Sequence, residues 1–308
     1  MNIRMKKITA CCIVIIVFLF SGCTSRIDST PVARASVAAS LETTDAIVPI
    51  MTPLVTPTAI PSIPPTAASP TVSLAAATPT RRPAESRVPF KAESDLLKGH
   101  FICIDPGHGK YSRAAIKTEP IAPGSKETKA STTTGTQGVY SKIPEYVVNF
   151  KVSQLLREKL EKAGCKVLFT HESIDDNYGN IDRCNFIAQY MPELTIRIHC
   201  NGNVNHSING VDMFIPGDKY LKNEKLIAES KRVGQIILDE YAKDTGMKNR
   251  GCTAYNDLTG FNWSKVPVVL IEMGFMSNQH DDLLLASDFF QEKAAEGLYQ
   301  GILKAYGK

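Results

Sequence analysis

The sequence predicts an α/β fold, a three-layer sandwich in which a mixed, mainly parallel sheet carries helices on both faces. Apolar runs of strand length alternate with longer segments of helical period from about residue 98 to the end. Such alternation is the mark of strand–helix–strand units. The first long helical segment stops at Gly164 and an apolar run follows at once, as a crossover requires.

Taken in order, the first predicted strand is Phe101–Ile104. Asp105-Pro106-Gly107 stops it in a tight turn. His108 is thereby held at the carboxyl end of a strand, where open α/β sheets place their ligands. Lys110–Lys142 is long, rich in Gly, Ser and Thr, and shows no period, the pattern of a functional or irregular segment. A helix is predicted over Pro144–Ala163, with Val148, Val152, Leu155, Leu156 and Leu160 as its apolar stripe. Glu145 falls on that stripe, a core-facing carboxylate in a first turn where the helix dipole favours an anion.

A strand at Lys166–Phe169 and a helix at Ile181–Tyr190 lead to a strand at Leu194–Ile198. In the run LTIRIHCN, Thr195, Arg197 and His199 share one face, and Leu194, Ile196, Ile198 and Cys200 the other. His199 closes this strand. Arg197, one pleat inward, requires a carboxylate partner, because an unpaired buried guanidinium is very costly. A strand at Val211–Ile215, a helix at Leu221–Tyr241, a strand at Val266–Ile271 and a helix at Phe289–Tyr306 complete the pattern. Glu272 ends the most hydrophobic strand. Burial there raises its proton affinity and suits it to proton transfer near neutral pH.

Residues 1–22 have the form of an export signal of lipoprotein type. Arg4, Lys6 and Lys7 precede the apolar stretch Ile8–Phe20, which falls short of the ~20 residues a spanning helix needs. Leu19-Phe20-Ser21-Gly22-Cys23 resembles a bacterial lipoprotein signal, and Cys23 would carry the lipid. Residues 23–97 read as a Pro/Thr/Ser/Ala-rich disordered tether: eleven of the 18 prolines lie between Pro31 and Pro89. Residues 98–308 form the globular domain. A net charge of +4 without a basic, aromatic-interleaved patch excludes a dedicated nucleic-acid binder. Eight cysteines without a CxxC pair or regular spacing indicate neither a zinc ribbon nor a disulfide framework. Cys103, Cys165, Cys184, Cys200 and Cys252, the five in the domain, are expected to be mostly buried thiols.

Two histidines and two glutamates thus occupy strand ends or a helix start. Two His and one carboxylate suit Zn2+ and leave a coordination position for water, and the remaining carboxylate can act as base. Glu119 and Glu127, in the long segment between His108 and Glu145, compete with Glu145 as third ligand. His206 lies in an Asn-rich loop, and His100, His171 and His280 are expected at the surface or in loops. A Cys200–His199 nucleophile pair is disfavoured, since neighbours on a strand point to opposite faces.

The motifs DPGHG at 105–109, EYVVN at 145–149, IRIHCNG at 196–202, NRG at 249–251 and VPVVLIEMGF at 266–275 occur in order. Together they closely resemble the zinc-dependent N-acetylmuramoyl-L-alanine amidases of bacterial peptidoglycan turnover, over the whole domain. The resemblance implies that His108, Glu145 and His199 bind Zn2+ and that Glu272 is the catalytic acid/base. It places Asn201 near the substrate; Arg197 is a further candidate substrate contact. It implies a mainly parallel sheet flanked by helices, and hydrolysis of the amide between N-acetylmuramic acid and the L-alanine of the stem peptide. Lys110 and Cys200 depart from the family pattern, at its usual second glycine and a common alanine. A zinc peptidase acting within the stem peptide and a non-catalytic wall-binding lipoprotein are the alternative readings. The expected partners are peptidoglycan and, through the N-terminal lipid, the membrane. A monomer at the outer face of the cytoplasmic membrane or in the cell wall is expected.

Overall fold

The structure is a computed structural model and describes residues 88–111, 116–176 and 178–308. The export signal, Cys23 and most of the tether lie outside the described residues. In chain order the elements are β1 (Phe101–Pro106), β2 (Thr118–Pro120), β3 (Thr128–Ala130), α1 (Glu145–Lys162), β4 (Lys166–Phe169), α2 (Asn180–Tyr190) and β5 (Leu194–Asn201). They continue with β6 (Val211–Pro216), α3 (Glu224–Thr245), β7 (Asn249–Tyr255), α4 (Thr259–Asn262), β8 (Val268–Phe275), α5 (Gln279–Leu285) and α6 (Asp288–Ala305).

Six strands form one sheet in the order β4-β1-β5-β8-β6-β7. Only β6 runs antiparallel to its neighbour β8; the other pairs are parallel. The predicted mixed, mainly parallel sheet is therefore the one observed. The five predicted strands and four predicted helices all form. β7 was not foreseen, because Asn249-Arg250-Gly251 breaks any apolar run and the strand is an edge with mostly exposed side chains. The segment 110–142 is not wholly irregular either: it holds the antiparallel hairpin β2–β3.

The two faces of β5 explain the packing. Leu194, Ile196, Ile198 and Cys200 are buried in the main core, with Val148, Val152, Leu156 and Leu160 of α1, Tyr241 of α3 and Phe290 and Leu298 of α6. Cys103 meets Ile187 of α2 on the other side, and Phe261 of α4 meets Val268 and Leu270 there. Burial on both faces is why β8 is a near-continuous hydrophobic run, whereas β5 alternates apolar residues with Thr195, Arg197 and His199. Ordered packing begins before the expected boundary at residue 98. Leu97 is fully buried, and the backbone of Glu93, Ser94 and Leu97 donates to carbonyls at the end of α1. Among the described residues no helix is long and apolar enough to cross a membrane.

Beneath the carboxyl end of the sheet lies a buried charge cluster. Asp105 accepts from Arg197 Nε at 2.8 Å, from Arg183 NH1 at 2.9 Å and from Thr170 Oγ1 at 2.5 Å. The carboxylate that Arg197 requires is thus Asp105, its cross-strand partner in the β1–β5 register. Burial alone would raise the Asp105 carboxyl, but Arg183 and Arg197 outweigh it and hold it far below the usual range. Asp105→Asn is expected to cost about 3–5 kcal/mol, since it leaves two buried guanidinium groups without their counter-charge. Urea unfolding would measure the loss.

Candidate metal centre and active site

His108, Glu145 and His199 converge above this cluster, each offering a ligand atom within 4.8 Å of the others. The chain brings them together by three local devices. β1 ends in Asp105-Pro106, and Gly107 turns away while its N–H still donates to Ile198 O of β5 at 2.8 Å. A Cβ on Gly107 would enter the His199 ring, so only glycine lets this turn pass beside the second histidine. Gly107→Ala is expected to displace one ring and abolish metal binding, which a chelator-competition titration of zinc would detect. Glu145 is the first residue of α1, where no side chain caps the helix and the dipole favours its charge. His199 lies in β5, in register with Glu272 of β8, and Glu272 is in register with Asp212 of β6.

One carboxylate oxygen organises the centre. Glu145 Oε1 lies 3.3 Å from His108 Nε2 and 3.2 Å from His199 Nδ1. Oε1 also accepts from Cys200 N at 3.1 Å and Asn149 Nδ2 at 3.0 Å, while Oε2 accepts from Thr136 N at 2.8 Å. Burial pushes the Glu145 carboxyl up, but the neighbouring imidazoles His108 and His199 more than reverse this and hold it well below its usual range. Burial pushes the His199 imidazole down to about 4. It is therefore neutral at neutral pH, the form that ligates a metal. Nε2 of His199 is buried without a hydrogen-bond partner. His108 Nδ1 faces Thr133 O at 2.9 Å, so that a proton on Nδ1 leaves Nε2 free as a ligand. Two imidazole nitrogens and an ionised carboxylate on one point form a donor set that fits a divalent cation.

Glu272 stands beside this set. The strand runs on to Phe275, so Glu272 is an interior residue of β8 rather than its end. Its Oε2 is buried without a partner. Burial first, then the charges of Glu145 and Asp212, raise its carboxyl well above the usual range. An open cleft of about 500 Å3 exposes the centre, lined by His108, Glu145, His199, Glu272, Asn201 and His206 among others.

Asn201 lines the cleft; its Oδ1 accepts from Gly202 N and its Nδ2 lies 3.5 Å from Asp212 Oδ2. Arg197 does not line this cleft; it is held by Asp105 and by Asn180 Oδ1 at 2.9 Å. Glu119 and Glu127 fall outside the convergence: Glu119 of β2 accepts from Ile181 N at the start of α2, and Glu127 from Tyr220. His206 reaches the cleft wall but not the convergence. His171 lies in the loop after β4, as expected, and is buried there against Thr170 and Phe150. Burial pushes the Cys200 thiol well up, so a thiolate partner to His199 is disfavoured on chemistry as well as on facing. The five domain cysteines are free thiols, and Cys252 alone among them is only half-buried. Sequence reading missed Thr133 and Asp212. Asn149 was visible in the E-x-x-x-N spacing, which puts it on the face of Glu145.

This sheet and this donor set define an α/β protein with the side chains of a one-metal hydrolytic centre. The family model for N-acetylmuramoyl-L-alanine amidase matches residues 102–304. The chain is 26% identical over 208 residues to N-acetylmuramoyl-L-alanine amidase LytC of Bacillus subtilis, covering 68% of this chain and 36% of LytC. The germination-specific N-acetylmuramoyl-L-alanine amidase of the same organism is 27% identical over 230 residues, covering 70% and 84%. The chain thus spans about a third of the first relative and most of the second. In fold it resembles the N-acetylmuramyl-L-alanine amidase Ami1 from Mycobacterium smegmatis, with a TM-score of 0.63 at 21% identity over 68% of this chain and 98% of that one. The chain belongs to the N-acetylmuramoyl-L-alanine amidase family.

Proposed function

We infer that this protein is a zinc-dependent peptidoglycan hydrolase that cleaves the amide between N-acetylmuramic acid and the L-alanine of the stem peptide. The observation that carries the reading is the pairing of a His108–Glu145–His199 donor set with Glu272 on the neighbouring strand, whose Oε2 is buried without a hydrogen-bond partner. His108, Glu145 and His199 would hold the zinc. When bound, zinc polarises the scissile carbonyl and lowers the pKa of a water toward about 7. Glu272 takes the proton of the attacking water and returns it to the departing amine. Its raised proton affinity suits both halves of that cycle. Asn201, on the cleft wall, is assigned to substrate. Arg197, engaged by Asp105 and Asn180, is assigned instead to fixing β5 against β1.

Cys23 would anchor the chain by a lipid, and the tether would let the domain act in the wall some distance from the outer face of the cytoplasmic membrane. The expected test is cell-wall zymography with the purified full chain. Clearing should vanish on chelation and return with zinc, and the digest should show new L-alanine amino termini with intact glycan. New amino termini at other stem residues would favour a stem-peptide peptidase, and no clearing would favour a wall-binding protein. Substituting Cys23 by Ala is expected to release the chain from the membrane fraction without changing wall hydrolysis in solution.

A further inference from the structure

Arg183 of α2 is buried, 3% exposed, and lies directly under the loop that presents His108. All five of its N–H donors are placed. Nε donates to Tyr178 O at 3.2 Å. NH1 donates to Asp105 Oδ1 at 2.9 Å and to Pro106 O at 2.6 Å. NH2 donates to His108 O at 2.9 Å and to the Tyr111 hydroxyl at 2.8 Å. One planar group therefore grips the loop at 105, 106, 108 and 111, on both sides of the ligand.

The loop needs such a grip. His108 has φ +64°, the left-handed region that a residue with a side chain occupies only when its surroundings enforce it. Gly107 and Gly109 flank it and resist no motion themselves. On the opposite side the ring is held through Nδ1 and Thr133, and the backbone by single bonds from Gly107 N to Ile198 O, from Lys110 N to Ile174 O and from Asn149 Nδ2 to Gly107 O. The carbonyls of Pro106 and of His108 itself both go to Arg183, the one side chain that bonds the loop on both sides of the ligand.

We propose that Arg183 is a positioning residue for the metal centre, holding the strained His108 loop in the conformation that aims Nε2 at Glu145 and His199. The proposal rests on the zinc reading of that centre. It does so by geometry that lysine cannot copy: an ammonium has three donors on a point, where the loop needs five in a fixed planar fork.

The test uses the full chain and reads zinc affinity by chelator competition, with thermal unfolding of the metal-free protein alongside. Arg183→Lys is expected to weaken zinc binding by about 10–100-fold, the range for removing a partner that orients a ligand. Arg157→Lys is the control. Arg157 is also a buried arginine, paired with Glu172 at 2.8 Å and stacked on Phe169, but remote from the cleft. It is expected to lower the melting temperature comparably and leave zinc affinity within about twofold, since it touches no ligand. Arg183→Lys binding zinc as tightly as the parent overturns the proposal, as does an equal loss in both variants. If Arg183→Lys does not fold, Tyr111→Phe removes one acceptor of the same guanidinium; a loss of roughly threefold or more is expected, and unchanged affinity overturns the proposal. A parent chain that binds no zinc overturns the zinc reading and this proposal together, whereas His108→Ala abolishing binding while Arg183→Lys leaves it intact sinks this proposal alone.

Discussion

Glu272→Gln is expected to bind zinc as the parent does and to lose about 10²–10⁴-fold in peptidoglycan hydrolysis, the usual contribution of a positioned general acid–base. The variant keeps the volume of the side chain and removes only its capacity to carry a proton in and out. Because Glu272 is absent from the donor set, the loss should fall on turnover and leave chelator competition unchanged. A second result separates this role from a structural one. Burial and the charges of Glu145 and Asp212 raise the Glu272 carboxyl, so the metal-free fold retains a proton that the unfolded chain gives up near pH 4.3. In the window between that value and the raised one, the folded state binds more protons, and stability falls as pH rises. The glutamine variant has no such loss. Metal-free Glu272→Gln should therefore melt above the parent at neutral pH and level with it at about pH 4. A near-parental rate for Glu272→Gln would remove Glu272 from the mechanism.

The parts of this site legible in the sequence are those written in local period. Glu145 betrays itself because it breaks an apolar stripe of period 3.6, and His199 and Glu272 because each carries polarity into a strand whose neighbours are apolar. The sheet could be read for the same reason: β1 and β8 carry the apolar runs that burial on both faces leaves, and β5 alternates apolar residues with Thr195, Arg197 and His199. What escaped is held by contacts between segments far apart in sequence. Thr133 belongs to a stretch without period, and nothing local marks its carbonyl as the partner of His108, 25 residues earlier. Asp212 stands opposite Glu272 only because β6 joins the sheet antiparallel to β8. β7 is an exposed edge, so no hydrophobic pattern was selected there. The burial of His171 within its loop was not legible, because a lone histidine after a strand carries no periodic signal for the pocket that Thr170 and Phe150 make around it.

Glu145→Gln is expected to weaken zinc binding by more than about a hundredfold, beyond the range for ligand-orienting partners, and to abolish wall hydrolysis with it. Glutamine preserves the shape and keeps one carbonyl oxygen, which can serve either the N–H groups of Cys200 and Asn149 or that of Thr136. It removes the one negative charge in the His108–Glu145–His199 set. It also turns an NH2 toward groups that need an acceptor, which leaves a buried donor conflict costing about 1–3 kcal/mol. The same measurement on Glu119→Gln and Glu127→Gln decides the identity of the third ligand, because all three glutamates fall in the stretch between His108 and the end of the first turn of α1. Glu119 is committed to the start of α2 and Glu127 to Tyr220, so both variants should bind zinc like the parent. If Glu119→Gln or Glu127→Gln instead lost zinc while Glu145→Gln retained it, the convergence on Glu145 Oε1 would not be the metal centre.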